Sequence, residues 1–171
     1  MKKSPVDPSV FFAEGDLVRV GRPDIELLKK ELAASGRLRV RLCAHPSLDA
    51  KIHEMFIILK KEGYVRPHKH AVKTESLEIL EGRADAVVFD DAGGVAEVIK
   101  MGDYASGLQF YYRLDRPRYH TLLLKTDTLV FKETANGPFD RAETSFPDWA
   151  PADADSAAGR AYLKDLEKRL E

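Results

Sequence analysis

Between Gly36 and about residue 134 the chain is a succession of short β-prone stretches, each stopped by turn residues, and this pattern leaves few folds open. The stretches run over 39–44, 52–60, 64–70, 75–80, 84–90, 95–101, 107–113, 119–124 and 128–134. So many short strands in so little chain imply an all-β unit closed into a barrel or folded as a sandwich. Turn chemistry supports the punctuation: Asp90, Asp91, Ala92, Gly93 and Gly94 suit a tight hairpin, and Gly82 and Gly102 mark two further breaks.

The flanks differ. DIELLKKELAAS places Ile25, Leu28 and Leu32 at helical spacing, with Asp24 to cap the helix and Gly36 to end it. Residues before Asp24 show no clear periodicity. After Gly137 the chain is irregular around Trp149, with Pro138, Pro147 and Pro151. It then runs into AAGRAYLKDLEKRL, whose Tyr162, Leu163, Leu166 and Leu170 predict an amphipathic helix lying on the barrel or at a subunit contact. The expected organisation is an N-terminal extension with one helix over 1–36, a β-barrel over 37–136, and a C-terminal extension with a terminal helix over 137–171.

Apolar residues make up 44% of the 171, enough to bury one sizeable core. Lys and Arg number 27 against 28 Asp and Glu, so no charge excess points to nucleic acid or to an anionic membrane, and a small-molecule partner is expected. No apolar run reaches membrane-spanning length, and the first residues, MKKSPVDPSVFF, lack a continuous hydrophobic segment; a cytoplasmic location is expected. The lone Cys43 sits in an apolar run and reads as a small buried hydrophobe.

Chemistry concentrates in GYVRPHKHAVKTESLEILEG. Side chains alternate across a strand, so His68 and His70 share a face while Lys69 points away. If the chain turns through 71–74 and pairs back, Glu75 begins the neighbouring strand on the same face as Leu77 and Ile79, whereas Glu78 falls on the outer face with Ser76. A further ligand is expected from a distant strand. His120 opens HTLLL, with Leu122 and Leu124 on its face. His68, His70, Glu75 and His120 form a donor set for one divalent transition metal ion, Fe, Mn, Ni, Co or Zn, rather than for Mg or Ca, which prefer all-oxygen shells.

Gly63, His68, His70, Glu75 and Gly82 resemble the first motif of the cupins, with one residue fewer than usual between the first glycine and His68. The second cupin motif places a proline, a glycine and an asparagine around its histidine; aligned on His120, this chain has Asp115, Pro117 and Leu124 there. The order RVRLCAH, HEMFIIL, RPHKH, ESLEILEG, VVFDDAGG, YHTLLL, ETANGPF and WAP looks like the WbuC-type cupin-fold metalloproteins over about 37–151. That resemblance implies a jelly-roll barrel with a bound metal, a homodimer, and association with bacterial surface-polysaccharide synthesis.

Around the proposed cage, Arg66 and Tyr64 share parity with the histidines. Arg66 either faces the cavity, where it suits a phosphate or carboxylate, or pairs at a strand end. Tyr64 either meets a ligand or plugs the barrel end. His45 is a candidate for the barrel mouth, while His53 reads as structural. Arg39 and Arg41 alternate with Val40 and Leu42, which puts the arginines in solvent unless an added N-terminal strand turns them to a mouth. Tyr111, Tyr112 and Glu133 are further cavity candidates, Tyr111 being taken with Arg66, Tyr64 and His45 as a ligand-binding residue. Three functions fit these expectations: a metal-dependent isomerase or epimerase acting on a sugar or sugar nucleotide, a metal-dependent dioxygenase of a small organic acid, and a non-catalytic binder of a small ligand.

Overall fold

The computed structural model describes residues 1–153 and 156–170. Its elements are β1 (Lys2–Lys3), β2 (Val10–Phe12), α1 (Arg22–Ser35), β3 (Arg39–Cys43), β4 (Ile52–Lys60), β5 (Lys69–His70), β6 (Glu75–Glu81), β7 (Arg83–Phe89), β8 (Val95–Gly102), β9 (Tyr111–Leu114), β10 (Tyr119–Leu124), β11 (Thr128–Asn136), β12 (Thr144–Ser145) and α2 (Ser156–Leu170). A seven-stranded sheet runs β1-β2-β3-β4-β11-β6-β9, a three-stranded sheet runs β10-β7-β8, and β12 pairs with β5. Pairing is antiparallel except between β2 and β3. This is a cupin jelly roll with flanking helices.

The two sheets face each other over an apolar interior. Ile57, Leu59, Leu77, Ile79, Leu129 and Phe131 come from the large sheet, and Ala84, Ala86, Met101, Leu122 and Leu124 from the small one. Each sheet also has a covered outer face. Helix α1 lays Ile25, Leu28 and Leu32 on Val40, Leu42, Ile58 and Val130. Helix α2 lays Leu163 and Leu166 on Val87, Phe89 and Leu123. Both sheets are therefore buried on two sides, which accounts for the near-continuous apolar runs in β7 and β10. The terminal helix lies on the barrel, where Gly159 gives Tyr64 room: a Cβ there would meet the tyrosine ring.

Four sequence expectations change on inspection. The strand expected over 64–70 is reduced to β5, because the fully buried Pro67 lacks an N–H to pair, and only an isolated bridge joins His68 to His120. The strand expected over 107–113 starts at Tyr111, after a short 3-10 turn (Tyr104–Ser106) that Asp103 caps and Gly107 ends with φ 75°. Helix α1 begins at Arg22 with Gly21 as its N-cap; Asp24 sits inside the first turn, and its carboxylate accepts from the Gly21 N–H at 2.9 Å. The N-terminal segment, expected to be irregular, adds β1 and β2 to the sheet edge, burying Val10 and Phe11. Among the described residues no helix is long and apolar enough to cross a membrane.

Candidate metal centre

The bridge between His68 and His120 builds the site. Their backbones exchange N–H···O=C bonds of 3.2 and 3.0 Å, which holds the two rings side by side with centroids 4.5 Å apart. His70 follows two residues on, its ring centroid 5.2 Å from that of His68. Glu75 opens β6 opposite Ala135, on the buried face it shares with Leu77 and Ile79. Its two carboxylate oxygens lie 2.7 Å from His120 Nε2 and 3.3 Å from His70 Nε2. The structure thus brings together His68, His70, Glu75 and His120.

The other ring nitrogens fix the tautomers. His68 Nδ1 lies 2.8 Å from the Arg66 carbonyl and His120 Nδ1 lies 3.0 Å from the Arg118 carbonyl. A carbonyl only accepts, so each Nδ1 must carry the proton, and the Nε2 of a neutral ring is left with a lone pair. His70 Nδ1 meets Thr144 Oγ1 at 3.1 Å. All three Nδ1 atoms are occupied at the periphery, in the manner of outer partners that orient metal-binding imidazoles.

The electrostatics follow from enclosure. Burial, and next the neighbouring His120, hold His68 down to about 4, so its ring is neutral at ordinary pH. Burial would lower His120 as well, but the Glu75 carboxylate outweighs it and raises this imidazole. Burial pushes the Glu75 carboxyl up, yet the close approach of His120 and His70 carries it well below the usual range. Glu75 Oε1 is buried, and its one near neighbour is His120 Nε2 at 2.7 Å.

A buried carboxylate facing imidazole Nε2 atoms whose Nδ1 atoms are turned to outer partners is a donor set able to hold a divalent transition metal in place of the proton between Glu75 and His120. These side chains stand slightly contracted. Ligands sharing such an ion are separated by about 3–3.5 Å, given bonds of about 2.1 Å. Among the described residues no three His, Cys, Asp or Glu side chains are already spaced about a common point.

The remaining candidates divide. Tyr64 is turned to the C-terminal segment, its O–H donating to the Pro151 carbonyl at 3.0 Å. Arg66 is drawn the same way: Nη2 donates to the Pro147 carbonyl at 3.1 Å, and the guanidinium stacks on Phe146. The position of both is that of clamps for the segment leading to α2, with one edge on an outer groove beside His68. His45 is buried and stacked on His53, with Nδ1 accepting from the Glu54 N–H. It lines a cavity of about 120 Å³ with His70, Lys73 and Phe139. Tyr111 is exposed, so its place as a cavity residue is corrected: in the β6–β9 register the inward Leu77 pairs with Tyr112, and Tyr112 takes the interior position.

Tyr112 lines a cavity of about 160 Å³ together with Arg39, Arg41, His68, Glu75, His120 and Glu133. Burial and then the charge of Glu75 raise the Glu133 carboxyl. Arg39 and Arg41 take the direction the sequence left as the alternative, a mouth beside an added N-terminal strand. Their alternation with Val40 and Leu42 is real, but α1 covers the outer face and takes the apolar pair, which leaves Arg41 half-buried and Arg39 exposed at the cavity mouth. The added strand β2 at the sheet edge is the one signal that could have shown it.

Comparison with known proteins agrees with the fold. A family model described as a domain of unknown function (DUF6016) matches residues 21–101. No curated protein matches the sequence. A protein from Shewanella oneidensis superposes with a TM-score of 0.54 at 10% identity, over 75% of this chain and 84% of that one. A cupin 2 conserved barrel domain protein from Rhodopseudomonas palustris gives 0.50 at 15% identity, over 75% and 78%. The oxalate decarboxylase of Lactobacillus farciminis matches at 0.45 and 16% identity over 56% of this chain, which spans 26% of that longer protein.

Proposed function

We propose that this protein binds one divalent transition metal ion through His68, His70, Glu75 and His120, and holds a small-molecule ligand against it inside the barrel. The observation that carries this reading is the occupation of all three Nδ1 atoms by outer partners, with both buried Glu75 oxygens turned to imidazole Nε2 atoms. Such an ion supplies Lewis-acid polarisation of a ligand oxygen.

The chain's own residues supply the rest. Ile57, Leu59, Leu77 and Phe131 give the cavity apolar walls. Glu133, whose carboxyl is raised by burial and by Glu75, is the group to take or return a proton on a ligand in the same cavity, and the Tyr112 hydroxyl, held protonated by burial, donates a hydrogen bond there. Isomerisation or epimerisation of a hydroxy-carbonyl compound is the reaction class that uses both parts. The cavity of about 160 Å³ suits a sugar-sized ligand or smaller. It shares Arg39, Leu59, Val65 and His68 with an outer groove of about 690 Å³, where the remainder of a sugar nucleotide in surface-polysaccharide synthesis finds room.

Elemental analysis of tag-free protein tests the metal. The expected result is close to one ion per chain in the wild type and a large loss in His68→Ala and in His120→Ala, with the β-sheet spectrum retained. Metal content unchanged in both variants refutes the assignment. Incubation with ketoses and sugar nucleotides in deuterated water tests the chemistry: deuterium gained beside the carbonyl, and lost in Glu133→Gln, supports isomerisation, whereas ligand-induced melting shifts without exchange favour binding alone.

A further inference from the structure

The inward face of the large sheet is apolar at Ile57, Leu59, Leu77, Ile79, Leu129 and Phe131. Charge interrupts it in three places, at Glu75, at Glu133 and at an arginine pair. Glu75 is met by His120 and His70, as described. Arg39 and Arg41, two residues apart on one face of β3, are met by no anion: among the described residues no carboxylate lies within 4.0 Å of either guanidinium. Among the described residues the Arg41 guanidinium has a single hydrogen-bond contact, a long one of 4.0 Å to Met55 Sδ. Val40 and Leu42 hold the opposite face of β3 beneath α1, and on the cavity side Arg41 is half-buried while Arg39 lies exposed at the mouth.

We propose that Arg39 and Arg41 bind the oxyanion of a small ligand, carboxylate or phosphate, whose other end reaches the histidine cluster. This rests on reading the cavity as a ligand site, and it names the ligand class. The geometry supports it on three counts. Both guanidiniums line the same cavity of about 160 Å³ as His68, Glu75 and His120, so one compact molecule spans both ends. Arg39 also lines the outer groove, which puts a positive charge on the way in. A pair of planar guanidiniums on one strand face presents parallel N–H donors that match a carboxylate or phosphate edge. Glu133 lies in the same cavity and attracts both arginines at longer range, but among the described residues it makes no ion pair within 4.0 Å with either, so neither guanidinium is closed off by a direct partner.

Calorimetric titration of manganese-loaded full-length protein with lactate, inorganic phosphate and the neutral lactamide tests this. The expected result is saturable binding of lactate or phosphate, with lactamide at least about tenfold weaker. Arg39→Gln and Arg41→Gln should each weaken the anion at least about tenfold, Arg41→Lys less so, with bound manganese and melting temperature unchanged. The tighter of the two anions identifies the group recognised. Equal affinity for lactate, phosphate and lactamide, equal anion affinity in the glutamine variants, or no anion binding to the wild type overturns the proposal. Repeating the titration after chelation separates the two readings. Arginine-dependent binding in protein that takes up no manganese supports the arginine pair and sinks the metal assignment. Arginine-independent binding in protein that retains manganese does the reverse.

Discussion

Strands β3 and β6 both carry charge into the barrel, and they do it with opposite sequence patterns. In β6 the inward glutamate shares parity with Leu77 and Ile79, and the outward positions are polar or exposed. In β3 the inward arginines alternate with Val40 and Leu42, the pattern of an ordinary half-exposed strand turned the other way round. Alternation fixes which residues share a face; what covers each face decides which one is wet. Helix α1 settles the matter for β3. The compensation differs too, since Glu75 meets His120 and His70 directly, whereas Arg39 and Arg41 face Glu133 only at longer range.

The comparison can be broken at the outer face of β3. Leu42 is 1% exposed beneath α1, so Leu42→Ala should cost about 2–5 kcal/mol in urea unfolding. A loss below about 0.5 kcal/mol would mean that this face is solvated and that β3 is oriented the other way. A second test sharpens the β6 side in metal-free protein. His68 titrates near 6.5 when unfolded and about 4 when folded, so the unfolded chain binds the extra proton first on acidification. Its contribution is complete above pH 6.5 and drains away as pH falls toward 4, by at most about 1.4 kcal/mol per pH unit. His120 has the opposite sign: its raised imidazole stabilises below pH 6.5 and that share is lost as pH rises. Unfolding at pH 4.5 and 7 should therefore show a smaller acid loss in His68→Gln than in the wild type; the same loss in both would place His68 in solvent. The smallest effect is expected at Arg41→Leu. Replacing a half-buried charge that has no carboxylate within 4.0 Å among the described residues should leave stability within about 1 kcal/mol or raise it, and a larger loss would show that the longer-range attraction of Glu133 stabilises the fold.

Much of the site was legible because it sits where parity and composition agree. His68 and His70, Glu75 with its leucine and isoleucine companions, and His120 before its leucines each pair a polar residue with an apolar inward neighbour. Strand existence was legible for the same reason, since glycines and charged turns bracket β4, β7 and β10. What could not be read was anything that depends on a partner distant in sequence. Pro67 cuts a strand whose residues look β-prone, Tyr64 and Arg66 are captured by Pro147–Pro151 some eighty residues later, and β2 joins β3 in parallel from a segment with no periodicity of its own. Tyr111 and Tyr112 could be told apart only by the β6–β9 register.

The claim on which the rest depends is that one ion is shared by three imidazoles and a carboxylate. X-ray absorption fine structure of protein loaded with a single equivalent of zinc or manganese addresses it directly. The account predicts a first shell of nitrogen and oxygen with the outer-shell scattering of three imidazoles, falling to two in His120→Ala. A spectrum without imidazole scattering, or one that His120→Ala leaves unchanged, would contradict it.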